Sequence, residues 1–177
     1  LQWLDRATQP KVPLDVACSG PRLLEFAGRT AERITLGVGA DPERVAWALD
    51  LARKAAADAG RDPASLSFGS FVNVGCHPDL HVARGLIAGG VAAFAHFSSM
   101  PGSTGAGLAD ADRAVVAEVG RRYDSNRHLS NRADHTAPLS ADFVDRFAVV
   151  GSPERCAGRL RELAALGIDR FVLTGSS

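Results

Sequence analysis

A strand-turn-helix unit that occurs twice in the first sixty residues constrains the fold more than any other feature. In the first copy, the apolar run 14–17 ends in the small residues 18–20, and Pro21 stands where a helix can begin. In the second copy, the run 34–39 ends in glycine, and Asp41-Pro42-Glu43 supplies a cap, a first-turn proline and a first-turn acid. Short joints between these elements predict a βαβ unit with parallel strands.

The turn of the first unit has the composition of an anion-binding site. Backbone N–H groups at the carboxyl end of a parallel strand lie beside the positive end of the following helix. Ser19 and Gly20 precede the first helix, and Gly37–Gly39 end the neighbouring strand, so the two turns share one edge of the sheet. They predict a concavity that takes a phosphate group. A well-formed helix cap has the same pattern, and both interpretations stay open.

The rest of the chain continues the alternation of strands and helices, which predicts an α/β fold. Strands are predicted over 14–18, 34–38, 67–74 and 169–174, and helices over 21–32, 42–59, 80–93, 109–123, 141–147 and 153–166. Residues 94–108 have no periodicity and 124–139 are polar. We therefore expect 94–139 to form an irregular insertion of loops and a helix before the last helix and strand.

Composition indicates one soluble globular domain over residues 1–177, because 46% of the residues are hydrophobic and 23% are charged. Twenty basic and twenty acidic side chains cancel, which argues against a nucleic-acid or anionic membrane surface. No uninterrupted apolar run approaches the roughly 18 residues that span a bilayer. Cys18, Cys76 and Cys156 are odd in number and widely spaced, so we expect reduced thiols and a cytoplasmic location.

Three segments of the chain resemble luciferase-like monooxygenases, especially the F420-dependent reductase branch. VACSGPRLLEFAGRTAERITLGVGADPERVAWALDLAR lies within 12–54, FVNVGCHPDLHVAR within 68–90, and DFVDRFAVVGSPERCAGRLRELAALGIDRFVL within 142–174. They are similar to the fifth and sixth barrel strands, the seventh strand with its helix, and the closing helix with the eighth strand. The resemblance implies a (β/α)8 TIM-barrel oxidoreductase that transfers a hydride between F420, or FMN, and a small organic substrate.

Four strands cannot close a barrel of eight, so the resemblance implies a half barrel containing strands five to eight, in which the four predicted strands are parallel and adjacent in chain order. The acid and base residues of the family lie in the first half, and no catalytic residue is named here. We expect the chain alone to be inactive and to associate with a second copy or a complementing first-half chain, because residues such as Val172 and Leu173 would otherwise face water. The alternative is a catalytically inert cofactor-binding or assembly half barrel.

The resemblance also assigns cofactor-binding positions. The residues at the two strand ends would approach or flank the cofactor: Ala17, Cys18, Ser19 and Gly20 on the first strand, and Gly37, Val38 and Gly39 on the second. A cysteine at a helix amino terminus is also a candidate nucleophile. In the family this position is ordinarily a small residue, so room for the cofactor explains Cys18 better.

Histidines supply the remaining candidates. His96, His128 and His135 are predicted in loops, where imidazole can act as an acid or base near neutral pH. His96 follows the seventh-strand helix, which makes it the candidate substrate contact. The run 76–81, CHPDLH, contains metal-ligating types, but its spacing is not that of a metal motif and Asp79 stands at a helix cap. No metal site is predicted.

Overall fold

A computed structural model describes residues 12–102 and 105–175 as a parallel sheet with helices. Within these residues the strands are Asp15–Cys18 (β1), Arg33–Leu36 (β2), Ser67–Cys76 (β3), Val149–Gly151 (β4) and Arg170–Thr174 (β5). The helices are Pro21–Thr30 (α1), Pro42–Asp58 (α2), Leu80–Ser99 (α3), Asp110–Arg122 (α4), Ala141–Phe147 (α5) and Pro153–Ala165 (α6). Residues 103 and 104 of the predicted insertion lie outside the described part.

The sheet follows the predicted order. β1 pairs with β2, β2 with β3, and β3 with β5, and every pairing is parallel. The register places Val16 opposite Ile34, and Ile34 opposite Phe68. The prediction that the four strands are parallel and adjacent in this order is therefore confirmed.

A fifth strand corrects the predicted count of four. β4 pairs in parallel with the last three residues of β3, where Val74 lies opposite Val149 and Cys76 opposite Gly151. These residues lie beyond the part of β3 that pairs with β2 and β5. Three residues are too few to show an alternating pattern, which is why the sequence did not indicate β4.

Side-chain caps fix where several helices begin. Asp41 Oδ1 accepts from Glu43 N at 2.9 Å, and Asp79 Oδ1 accepts from His81 N at 2.7 Å. Ser140 and Ser152 cap α5 and α6 in the same way. The helix α1 differs, because its cap position is Gly20, with no side chain to bond the first N–H groups. The amino end of α1 is therefore less shielded by side chains than those of α2 and α3.

One face of the sheet is buried by α1, α2 and α6. The strand residues Ile34, Leu36 and Val72 are fully buried, and helix residues such as Leu24 and Leu49 pack against the same cluster. Burial of each large apolar side chain contributes about 1.5–3 kcal/mol. This cluster is the main core of the chain.

A second cluster joins α3, α4 and α5 near β4. Its buried residues include Ala83, Ile87 and Val91 of α3, Val116 and Val119 of α4, Phe143 and Phe147 of α5, and Val150 of β4. The Phe143 and Phe147 rings stack with centroids 4.7 Å apart. The three helices therefore form a small unit beside the far end of β3, where β4 also pairs.

Helix α3 is longer than predicted. It continues through Ser99 rather than ending at residue 93, so the first six residues of the predicted insertion are helical. Among the described residues, it is the one helix long and apolar enough to cross a membrane by length and composition. In this fold α3 packs against β3, α4 and α5, as a core helix does.

Strand residues predicted to be buried on both faces divide into two groups. Ile34 and Leu36 of the central strand β2 are fully buried. Near or on the outer strands, Leu14 is 45%, Val172 42% and Leu173 55% exposed. These exposed fractions place uncovered apolar surface on β5 and at the start of β1.

Candidate functional site

The inner face of the sheet is the face opposite the main core. At the amino ends of its strands lies a polar group that we call the amino-end network: Asp15, Thr35, Ser67 and Arg170. Arg170 donates to Asp15 Oδ2 at 3.0 Å and to Ser67 Oγ at 2.5 Å, and Thr35 Oγ1 donates to Asp15 Oδ1 at 2.9 Å. These side chains satisfy one another across four strands.

The carboxyl ends of the same strands border a cavity of about 450 Å³, called the carboxyl-end cavity below. It is lined by Ala17, Cys18, Ser19, Gly37, Phe71, Asn73, Gly90, Ala93, Phe94, Phe97, His128, Leu129 and Thr174. Most of this wall is apolar, and its volume lies within the roughly 300–1,000 Å³ range of small-molecule sites. The strands supply one wall, and α3 with His128 and Leu129 of the loop between α4 and α5 supplies the other.

Four of the seven residues assigned to cofactor binding line this cavity: Ala17, Cys18, Ser19 and Gly37. Gly37 N donates to Cys18 O at 2.7 Å, so the two strand ends remain side by side after the regular pairing stops. A methyl group built at Gly37 would lie 3.6 Å from Cys18 O, its nearest neighbour. Glycine is therefore not needed at position 37 to avoid a steric clash, but its lack of a side chain leaves space in the cavity.

Cys18 is a buried, neutral group. Its Sγ lies 3.5 Å from Val16 O and 3.5 Å from Leu23 O. Burial, and secondarily the charge of Asp15, raises the pKa of the Cys18 thiol to about 12. A thiol protonated at neutral pH is a poor nucleophile, so the structure favours a packing role for Cys18 at the cavity wall.

Gly20 lies at a smaller cavity of about 200 Å³ that shares Ser19 with the first. Its wall contains Ser19, Gly20, Arg22, Leu23, Pro101 and Gly102. The guanidinium of Arg22 and the uncapped amino end of α1 both favour an anion at this position. The apolar carboxyl-end cavity therefore lies next to a smaller cavity whose wall carries a positive charge.

Val38 and Gly39 do not line either of these cavities. Val38 is fully buried, and its carbonyl accepts from Arg44 Nη1 at 2.9 Å. Gly39 has a φ of +86°, and a Cβ added there would lie 2.9 Å from the ring of Phe147. Both residues hold the end of β2 against α2 and α5.

His96 lies on α3 rather than in a loop, and it does not line the carboxyl-end cavity. Its ring stacks on Tyr123, with centroids 4.0 Å apart, and it borders a separate cavity of about 590 Å³ between α3 and α4. Burial, followed by the neighbouring His128 and His135, lowers the pKa of His96. The expected loop position of His96 was wrong because α3 continues past it.

His128 is the histidine that lines the carboxyl-end cavity. Its Nδ1 is hydrogen-bonded to the hydroxyl group of Tyr123. The sequence identified His128 only as a general acid-base candidate, because no pattern relates a residue in 124–139 to the sheet. The aromatic residues Phe94 and Phe97, spaced three apart on α3, were the available signal for this wall.

The run 76–81 forms a turn and a helix cap. His77 Nδ1 accepts from Asp79 N at 3.0 Å, and Asp79 Oδ1 accepts from the N–H groups of His81 and Val82. These bonds lower the pKa of Asp79, the one to His81 N most strongly. Within the described ranges, no group of three potential metal-binding side chains is found.

A parallel sheet with a cavity at the carboxyl ends of its strands defines a class of α/β proteins that bind ligands at this edge. The chain matches the family model of the luciferase-like monooxygenases over residues 1–170. The chain belongs to this family, as its sequence segments indicated.

Solved structures share the fold of this chain. The F420-dependent tetrahydromethanopterin reductase from Methanopyrus kandleri aligns with a TM-score of 0.62 and 18% identity, over 91% of this chain and 44% of the reductase chain. An F420-dependent secondary alcohol dehydrogenase in complex with an F420-acetone adduct gives 0.57 and 14%, over 93% and 43% of the two chains. The chain therefore spans less than half the length of these solved structures.

Proposed function

We propose that this chain is the carboxyl-terminal half of a (β/α)8-barrel oxidoreductase that binds F420, with FMN as the alternative cofactor. In this assignment β1, β2, β3 and β5 correspond to barrel strands five to eight. The observation that carries the proposal is the apolar carboxyl-end cavity at the ends of these four parallel strands, which are neighbours in the sheet. Barrel enzymes of this type bind their ligands at that end.

The residues present fit such a cofactor. Ala17, Cys18, Ser19 and Gly37 would contact its ring and ribityl part, since they are small and line the apolar cavity. Gly20 and the adjacent Arg22 would receive its phosphate group at the amino end of α1. The two solved structures named above are similar to this chain in fold, and both are of F420-dependent proteins, which is why F420 is proposed before FMN.

When bound, the cofactor would supply hydride transfer to or from a small organic substrate. The part of the protein described here would bind the cofactor, orient it and exclude water with the aromatic wall of α3. No side chain of this chain is assigned an acid or base role in the proposal. The rest of the site would come from the first half of the barrel.

Titration of the purified chain with F420 and with FMN, followed by visible absorbance, tests the proposal. The variant Gly20→Val should weaken binding, because its side chain would occupy the approach to the phosphate position. Gly20 has φ −127° and ψ 161°, an extended conformation that valine adopts readily, so the variant should fold. Gly158→Val on α6 is the control, since a Cβ there meets nothing within 4 Å. No saturable binding of either cofactor by the wild type would overturn the proposal.

The alternative proposal is an assembly half barrel without activity. It is favoured by the exposed apolar residues Val172 and Leu173 on β5 and Leu14 just before β1. The partner would be a second copy of the chain or a separate first half, which would cover this surface. Sedimentation velocity at low micromolar concentration tests it, and a stable, unliganded monomer with cooperative unfolding would contradict it.

A further inference from the structure

Asn73 leaves a polar atom unsatisfied in the wall of the carboxyl-end cavity. The residue is 4% exposed, and its Oδ1 accepts from Thr174 Oγ1 at 3.0 Å. Its Nδ2 is buried and has no hydrogen-bond partner among the described residues. A buried N–H donor without an acceptor is costly, so its position beside an open cavity points to an acceptor on a ligand.

His128 is a second nitrogen-bearing side chain in the wall of the same cavity. The hydroxyl group of Tyr123 bonds to Nδ1 of His128. A phenol O–H can donate to an imidazole nitrogen, and donation from Tyr123 to Nδ1 places the ring proton on Nε2, which is the arrangement that the inference uses. Tyr123 is itself held between two rings, with His96 at 4.0 Å and His135 at 4.5 Å between centroids. The stacked Tyr123 therefore helps to fix the orientation of the His128 ring to which it is hydrogen-bonded.

The backbone beside His128 is also fixed. Leu129 has a φ of +63°, a left-handed conformation that is uncommon for leucine. Asn131 Oδ1 accepts from Gly89 N at 2.8 Å and so binds this loop to α3. A Cβ at Gly89 would lie 2.2 Å from Leu129 O, so the close approach requires glycine. Strained, clamped backbone of this kind is typical of ligand-contact positions.

We propose that Asn73 Nδ2 and His128 Nε2 are paired hydrogen-bond donors that recognise a carbonyl-type oxygen on a largely apolar ligand. The inference rests on the proposed function and concerns the same cavity. The other side chains of the wall, such as Phe71 and Phe94, are mostly apolar, and no acidic side chain lines the cavity within the described ranges. The oxygen belongs either to the pyrimidine ring of the cofactor or to a ketone or aldehyde substrate.

Side-chain nitrogen NMR of the wild-type chain is the first test. F420, FMN and, as a probe ketone, cyclohexanone are added separately, and cyclohexanone is also added to the cofactor-loaded chain. The resonances of Asn73 Nδ2 and His128 Nε2 should shift with at least one ligand. Those of Asn126 and His81, which lie outside the cavity, should not. If a ligand binds and neither cavity resonance shifts, the inference is wrong.

Binding affinities of variants identify the source of the oxygen. Asn73→Asp and His128→Phe should each weaken binding of the ligand that carries the recognised oxygen about tenfold, because each removes one hydrogen-bond donor. Asn126→Asp and His81→Phe are the matched controls. Weaker F420 or FMN binding assigns the oxygen to the cofactor, whereas weaker cyclohexanone binding with unchanged cofactor binding assigns it to the substrate. Unchanged affinity for all three ligands overturns the inference.

Failure of the proposed function gives a different result. If wild type binds neither cofactor but binds cyclohexanone with shifts at Asn73 and His128, the proposed cofactor assignment fails and the two-donor site stands. If wild type binds a cofactor without those shifts, the proposed function stands and the two-donor site fails. Absence of binding by all three ligands counts against both.

Discussion

The two ends of the inner sheet face are built on the same strands but satisfy their polar groups differently. In the amino-end network, Arg170, Asp15 and Thr35 bond to one another. At the carboxyl-end cavity, small residues such as Gly37 leave space, and Asn73 Nδ2 has no partner within the described part of the chain. Mutually satisfied groups contribute to stability, whereas an unsatisfied group beside a space is available to a ligand.

This contrast predicts which measurement each substitution will change. Changes in the amino-end network should lower the free energy of unfolding and leave ligand binding as it was. Changes around the carboxyl-end cavity should alter both the free energy of unfolding and ligand binding, because α3 and the strand ends pack together to form its walls. The substitutions below test the contrast in order of expected effect.

Arg44 should give the largest effect, because it joins the end of β2 to α3. It is 1% exposed, with Nη1 donating to Val38 O and Nη2 to Ser98 Oγ, both at 2.9 Å. Burial lowers the pKa of Arg44 to about 10, which still leaves it charged at neutral pH. Arg44→Met should lower the free energy of unfolding by about 2–3 kcal/mol, since it removes two buried hydrogen bonds.

Chemical denaturation measures this loss, and F420 titration should show weaker binding in the same variant. Arg29→Met is the control, because Arg29 is an exposed arginine in an ion pair along α1. Exposed pairs of this kind contribute little to stability. Equal losses in the two variants would show that Arg44 does not support the cavity.

Two glycines on α3 offer a matched pair. A Cβ at Gly90 would lie 2.2 Å from Asn73 Oδ1, whereas one at Gly85 meets nothing within 4 Å. Gly90→Ala should lower the free energy of unfolding by about 1–2 kcal/mol, because the buried Asn73 must move. Gly85→Ala should raise it by about 0.5–1 kcal/mol through helix propensity.

Thermal and chemical unfolding compare the two alanine variants, and F420 titration of each completes the experiment. Binding should weaken only in Gly90→Ala, since Gly90 lines the cavity and Gly85 does not. If both substitutions stabilise the protein, the cavity wall at Asn73 can move to accept the added methyl group without loss of stability.

Arg170→Met tests the amino end with a smaller expected effect. The side chains of Arg170 and Asp15 are 31% and 40% exposed, so solvent screens their ion pair. We expect a loss of about 1 kcal/mol in the free energy of unfolding, mainly from the lost hydrogen bonds. Affinity for F420 should stay unchanged. A change in affinity would show that the two ends of the face are coupled.

The sequence was sufficient for the order of the sheet, because β1, β2 and β3 are each an apolar run followed by a turn and a helix. It was insufficient where short elements or distant contacts decide the outcome. β4 has three residues, too few for a period, and it pairs through Val74 and Val149, far apart in the chain. The sequence also predicted the turns at the strand ends. It did not indicate that Val38 is buried in the core while Gly37 lines the cavity.

The histidines show the same limit in the candidate site. The composition of 94–108 predicts a loop, but burial of Val91 and Ala95 against α4 and α5 extends α3 through Ser99. His96 then faces α4, and His128 reaches the cavity from a loop that has no periodicity to read. Tertiary packing, rather than local propensity, determines which histidine lies beside the strands.

Acidification should weaken the cavity wall through the half-buried His96 and the buried His135, the smallest of the expected effects. Burial lowers the pKa of His96 and of His135 below the ordinary value of about 6.5. The unfolded chain therefore binds protons more readily than the folded chain, and the free energy of unfolding should decrease as pH falls below about 6.5. His96→Phe keeps a ring against Tyr123 but removes one titrating group, so its stability should depend less on pH. Chemical denaturation at pH 7.5 and 5.5 compares this variant with wild type and with His81→Phe, an exposed histidine at the other end of α3. An identical pH dependence in wild type and His96→Phe would show that protonation of His96 does not loosen the wall.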